Sequence, residues 1–147
     1  MISNNLLLDE IFALTLYGEA RGEKVEGQIA VANVIMNRLK HYPSKYKTVA
    51  DVCLEKEQFS CWNESDPNYS VLEALSQQMI KNNIMETTLR QCLYIARGVL
   101  GGNFLDNTKA ALHYLTNNLF NSNKRPSWAA NPSNPPITIG NQVFFNV

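Results

Sequence analysis

The stretch Thr15–Arg38, TLYGEARGEKVEGQIAVANVIMNR, decides how this chain is read. Leu8, Phe12, Thr15 and Glu19 recur at helical spacing with Leu7, Ile11 and Leu14 beside them, which predicts a helix over residues 5–20 whose apolar stripe runs into a carboxylate. Gly22 punctuates the pattern. VEGQIAVANVIMNRLK then opens a second helix, in which Gly27, Ala30, Val31, Val34 and Ile35 form a face of little bulk that lets a neighbouring helix approach closely. A carboxyl group ending a core-facing stripe is pushed towards its neutral form, because burial penalises the charged one. A carboxyl that keeps its proton at neutral pH is what a general acid requires, and the commonest use of such an acid is to protonate a glycosidic oxygen. Position alone does not separate this role from solvation or from pairing with the nearby Arg21.

Outward from that stretch, the second helix breaks at Pro43, and Thr48 with Asp51 three residues later reads as a capping box for a short helix through about Leu54. The next segment, EKEQFSCWNESDPNYS, mixes polar residues with Phe59, Trp62 and Tyr69, a composition commoner in binding loops than in solvated linkers. Ser70 and Glu73 form a second capping-box pattern, for a helix to about Ile80. ETTLRQCLYIARGVLGG predicts another helix, with Leu89, Cys92, Leu93 and Ala96 inward and Gly101 and Gly102 as its stop. From Lys109 onward AALHYL and QVFFNV carry aromatic and β-branched residues and flank a segment rich in Asn, Ser and Pro. The predicted fold class is therefore α+β, mostly α: a compact helical domain with a small C-terminal β-hairpin.

With 147 residues, 16.6 kDa and 45% apolar content, the chain suits one domain over 1–147 with a single core. Thirteen basic and thirteen acidic side chains cancel, so no global field favours nucleic acid or an anionic membrane. The start, MISNNLLLDEIF, has no basic n-region and no small-residue cleavage site, and no apolar run approaches the roughly 20 residues that span a bilayer. The expectation is a soluble protein without a signal peptide, cytoplasmic until it is released or exported by other means. Cys53, Cys61 and Cys92 are odd in number and contain no C-x-x-C pair, so they are read as small buried hydrophobes rather than as a disulfide framework or a zinc site. No metal or cofactor is expected.

Three blocks in order carry a resemblance. LYGEARGE followed by GQIAVANVIMNR, then EQFSCW at residues 57–62, then ALHYLTN, SW and ITIGNQVFF resemble the SleB/CwlJ-type cell-wall hydrolases, the family that includes the catalytic domain of spore cortex-lytic enzymes. Together they span nearly the whole chain. The resemblance implies a lysozyme-like helical fold that cleaves the glycan strand of peptidoglycan between N-acetylmuramic acid and N-acetylglucosamine. The chain is expected to be a monomer whose partner is that glycan strand. The resemblance implies Glu19 as the catalytic acid; Glu23 is the alternative acid of the same segment, but one turn further on and past Gly22 it is expected to be exposed. It places Gln58 and Ser60 in the cleft as hydrogen-bonding groups, with Phe59 or Trp62 stacking on a sugar. His113 and Tyr114 would position substrate, and Trp128 would serve as a sugar platform or as a lid over the core. Many relatives have a histidine where this chain has Gln142, so that residue's role does not carry over.

A two-carboxylate glycosidase needs a partner for Glu19, and Asp66, Asp106 and Glu57 are candidates by type alone. A lytic transglycosylase needs none, because the muramoyl 6-hydroxyl attacks intramolecularly and leaves a 1,6-anhydro product; muramidase hydrolysis by water is the alternative. Two readings of other classes compete: a non-catalytic glycan-binding module, and a cysteine hydrolase built on Cys61 and His113. A phage endolysin is the setting that suits a wall hydrolase with no export signal.

Overall fold

The computed structural model describes residues 2–81 and 85–147. Its helices are α1 (Leu8–Ala20), α2 (Val25–His41), α3 (Val49–Cys53), α4 (Pro67–Ile80), α5 (Thr87–Leu100) and the short α6 (Asn117–Phe120). Strands β1 (His113–Thr116), β2 (Ile137–Ile139) and β3 (Gln142–Phe145) form one antiparallel sheet in the order β1-β3-β2.

The amphipathic stripe expected for the first helix understates its burial. Six consecutive residues, Ile11 through Leu16, are buried, so α1 is sheathed on all sides. A helix with no polar face belongs at the centre of a core, and α2, α3, α4 and α5 all pack around it. The predicted start at residue 5 is corrected. Residues Ile2–Asn5 form a 3-10 turn, Leu7 stands outside the helix and Leu8 in its first turn, and both leucines are exposed because the chain has not yet entered the core. The small-residue face of α2 behaves as expected, with Gly27, Ala30, Val31, Val34 and Ile35 all buried. So does α5, whose Leu89, Cys92, Leu93 and Ala96 point inward and which stops before Gly101 and Gly102.

The Asp51 carboxylate accepts the backbone N–H groups of Lys47 and Thr48, as the capping pattern before α3 predicts. The second capping box is a correction. Helix α4 begins four residues before the expected start at residue 71: Asp66 is the cap, accepting the Asn68 N–H at 2.8 Å, and Pro67 occupies the first turn. Proline is favoured there because its missing N–H would have no helical partner anyway. Ser70 and Glu73 lie inside the helix.

The two runs expected to form the hairpin hold β1 and β3, which pair antiparallel with Tyr114 opposite Phe144 and His113 opposite Phe145. The strand not expected is β2, which lies in the segment between them, pairs along the other edge of β3 and joins it through Gly140 and Asn141, with Gly140 at φ 59°. The sheet faces two ways. Phe144 joins the main core, whereas Val143 and Phe145 pack with Phe120, Ala129 and Leu115 in a second cluster.

Glu23 fastens this sheet to the helices. Its carboxylate accepts the Asn141 backbone N–H and the Asn141 Nδ2, each at 3.0 Å, so it is held at the hairpin turn rather than left free as an exposed acid. Gln28, buried on α2, donates to the carbonyls of Ala20 and Glu23 and accepts from Gln91 of α5. The end of α1 is thereby tied to the turn that follows it and to α5.

Gly18 admits the 3-10 turn Ser60–Trp62 against α1: a Cβ there would meet Cys61 Cβ and Sγ at 2.7 Å. Alanine is normally favoured over glycine within a helix. Here the clash outweighs that preference, and Gly18→Ala is expected to destabilise the fold by about 1–3 kcal/mol, the usual range for overpacking, as a lowered midpoint in urea unfolding.

Candidate active site

Glu19 stands in the last turn of α1 and faces a cavity of about 470 Å³ lined also by Arg38, Glu57, Gln58, Phe59, His113, Tyr114 and Trp128. Five separate parts of the chain meet there: α1, α2, the segment after α3, β1, and the 3-10 turn Ser127–Ala129.

The Tyr114 hydroxyl donates to Glu19 Oε1 at 2.8 Å. Burial raises the Glu19 pKa and the negative charge of Asp66 adds to the rise, while the hydrogen bond from Tyr114, the charge of Arg38 and the Cys61 thiol oppose it; the net shift is upward. The C-terminal end of a helix is also its negative end, a poor place for an anion. Arg21 does not neutralise Glu19. Its Nη2 donates to Asn68 Oδ1 at 2.8 Å and its Nη1 to the Tyr17 carbonyl. The same burial, with the charge of Glu19, pushes the Tyr114 phenol well above its ordinary range, so it remains a donor at neutral pH.

His113 is half-buried. Desolvation and the charge of Arg38 lower its pKa, so at neutral pH it offers a neutral imidazole. Its ring lies 5.3 Å from that of Trp128, and Trp128 in turn stacks on Phe145 at 5.9 Å with an interplanar angle of 21°. Trp128 keeps one indole face available, being 51% exposed. It stands at the cavity wall.

The segment 57–62 divides between cleft and core. Glu57 adopts φ 67°, in the left-handed region that disfavours side chains, at the bend that carries Gln58 and Phe59 to the cavity. Phe59 is buried, with the Arg38 guanidinium over its ring at 5.5 Å. Trp62, expected as a stacking ring, lies outside the cavity lining. It is buried, and its Nε1 donates to Thr15 Oγ1 at 2.9 Å, a core hydrogen bond made 47 residues away in sequence. Ser60 is exposed and outside the cavity lining. Cys61 is buried against Gly18, and desolvation with the charge of Glu19 pushes its thiol pKa far up. The thiolate that a cysteine hydrolase needs is disfavoured there.

Of the carboxylates considered as partners for Glu19, two are committed to the fold. Asp66 caps α4, and Asp106 accepts hydrogen bonds from Thr108, Ala110 and Asn37. Glu57 shares the cavity with Glu19.

A family model described as Cell Wall Hydrolase matches residues 22–145. The chain belongs to the cell wall hydrolase family. The matched stretch begins three residues after Glu19. Among solved structures, the catalytic domain of the germination-specific lytic transglycosylase SleB from Bacillus anthracis is similar at 28% identity and a TM-score of 0.57, over 94% of this chain and 93% of that one. The catalytic domain of the Bacillus cereus SleB protein is similar at 28% identity and a TM-score of 0.59, over 98% of this chain and 91% of that one. The α+β, mostly helical fold is the one these domains share. The spore cortex-lytic enzyme of Oceanobacillus iheyensis is 40% identical over 72 residues, covering 45% of this chain and 25% of its own length. That of Bacillus subtilis is 40% identical over 77 residues, covering 50% of this chain and 24% of its own length. The chain thus spans about a quarter of the length of these curated relatives.

Sequence reasoning missed Arg38. It was read only as part of a helix end, yet it reaches the cavity beside Glu19. The signal that could have found it is its place in the NR pair closing the quoted stretch, on the side of α2 where Val31, Val34 and Ile35 are buried.

Two consequences follow from the electrostatics of Glu19. Its unfolded pKa is near 4.5 and its folded value is higher, so the folded state binds the extra proton between them and stability falls as pH rises through that window. Glu19→Gln is expected to melt above the parent at pH 7, with the gap narrowing as pH falls towards 4.5, measured by thermal denaturation across pH. Tyr114→Phe removes a hydrogen bond that favours the carboxylate. Glu19 should then hold its proton to higher pH, moving the alkaline limb of the kcat/KM profile upward while kcat falls through lost positioning.

Proposed function

We propose that the chain is a single catalytic domain, active as a monomer, that cleaves the glycan strand of peptidoglycan between N-acetylmuramic acid and N-acetylglucosamine by lytic transglycosylation. Its place of action is then the bacterial cell wall. The observation that carries this reading is a carboxyl at a helix end, fastened by Tyr114, raised in pKa and free of any ion pair among the described residues, in a cleft with an aromatic wall.

Glu19 gives its proton to the glycosidic oxygen as the muramoyl C1–O bond breaks, and the departing sugar leaves as a neutral alcohol. The carboxylate so formed takes the proton of the muramoyl 6-hydroxyl as that oxygen bonds to C1, closing the 1,6-anhydro ring and restoring the acid. No water is consumed. Tyr114 holds one carboxyl oxygen in place throughout, and its hydrogen bond strengthens when Glu19 is charged. Trp128 offers a face on which a pyranose can stack, and Gln58 and the neutral His113 offer hydrogen bonds to hydroxyl and acetamido groups. The relation to a domain described as a lytic transglycosylase supports the same chemistry.

Hydrolysis by water is the second reading, and one observation favours it: Glu57 lines the same cavity and could serve as the base that activates a water. A pure glycan-binding module has no use for a half-buried acid held in this way.

Glu19→Gln should reduce lysis of purified sacculi by about a hundredfold or more, while Cys61→Ser keeps most of it. Mass spectrometry of the released muropeptides should show anhydro-muramoyl ends, one water lighter than reducing ends. Reducing ends, with loss of activity in Glu57→Gln, would replace transglycosylation by hydrolysis.

A further inference from the structure

Arg38 reaches the cleft with its charge unmatched. Its Nε donates to the Leu112 carbonyl at 2.8 Å, and its guanidinium lies over the Phe59 ring. Both anchors orient the planar group without neutralising it. Among the described residues Arg38 forms no ion pair and its Nη atoms donate no hydrogen bond. The two carboxylates that feel its charge from further away are otherwise engaged: Glu19 accepts from Tyr114, and Glu55 is paired with Lys45 at 2.6 Å and accepts from Tyr46.

A half-buried cation with spare donors is costly unless something meets it. The planar guanidinium fork matches a carboxylate through two parallel hydrogen bonds. Arg38 also stands where two spaces join. With Gln58 and His113 it lines both the cavity of Glu19 and a second chamber of about 230 Å³, whose other walls are Tyr42, Tyr46, Leu112 and the Lys45–Glu55 ion pair. A muramoyl sugar differs from its neighbour in the glycan strand by a 3-O-lactyl group. That group ends in a carboxylate on strands without stem peptides, and otherwise carries a peptide with carboxylates of its own.

Resting on the glycan-cleaving reading above, we propose that Arg38 recognises a carboxylate of the muramoyl substituent, lactyl or stem-peptide, seated in the smaller chamber. Arg38 is then a specificity residue that sets which sugar presents its C1 to Glu19. Lys45 does not share the task, because Glu55 already holds its ammonium group.

The test measures kcat/KM on four preparations of glycan strands: stripped of stem peptides, the same strands with every carboxyl converted to a methylamide, peptide-bearing strands, and those strands likewise amidated. The parent protein should lose about tenfold on amidation, the worth of one charge-assisted hydrogen bond, in the pair that contains the recognised carboxylate. Loss in the stripped pair assigns the lactyl group, and loss only in the peptide-bearing pair assigns the stem. Arg38→Met should cleave the carboxylate strands at the amidated rate and be insensitive to amidation, while Arg38→Lys keeps part of the preference. Equal parent rates within both pairs overturn the inference while leaving the glycosidase intact. An equal loss in Arg38→Met on carboxylate and amidated strands also overturns it, in favour of a packing role. Should Arg38→Met fail to fold, the parent's response to amidation still decides. No cleavage of any strand by the parent overturns the glycosidase reading and this inference with it.

Discussion

The hydrogen bond from Tyr114 to Glu19 joins two parts of the molecule that share little local sequence. Glu19 ends the central helix, where burial leaves a carboxyl poorly solvated, and Tyr114 comes from a strand 95 residues later whose phenol is also cut off from water. Each group would be left unsatisfied without the other, and an orphaned buried polar group costs more than one hydrogen bond returns. The sheet must therefore dock where β1 meets the end of α1. The contacts beside that point serve the same placement: Phe144 enters the main core, and Glu23 grips the hairpin turn at Asn141.

The cleft that results is electrically sparse for one lined by so many ionisable groups. Burial moves Glu19 upward, His113 downward and Tyr114 upward, and each shift favours the uncharged form. Arg38 is left as the guanidinium in the wall, and Glu57 stands at the exposed rim. An acid that keeps its proton beside a cation needs this balance: the charge of Arg38 pulls the Glu19 pKa down, and desolvation more than offsets it. The same burial makes the site a liability to the fold, since a carboxyl whose pKa is raised by folding lowers stability as pH rises.

Local patterns were legible wherever the physics is local. The cap at Asp51, the small-residue face of α2 and the inward side of α5 depend on neighbours within a turn or two, and each is visible in spacing alone. The start of α4 was misplaced because two capping patterns lie four residues apart. Asp66 prevails since Pro67 fits the first turn of a helix and Asp66 accepts a backbone N–H, leaving Ser70 inside. Trp62 was misassigned to the cleft for a different reason. Its partner Thr15 sits on another helix, and no pattern in a polar, aromatic loop says which of two neighbouring aromatic rings turns inward.

The sequence by itself determined the helical body, the hairpin and the position of an acid at the end of a core-facing helix, because helical periodicity and turn chemistry act between residues close in the chain. Resemblance of three ordered blocks supplied the substrate to expect. Only the tertiary structure decided that Tyr114 holds that acid, that Arg21 and Glu23 turn away from it, and that Arg38 stands in the wall. Those outcomes depend on which polar groups meet across 47 to 118 residues of chain, and such pairings are settled by tertiary packing, not by spacing.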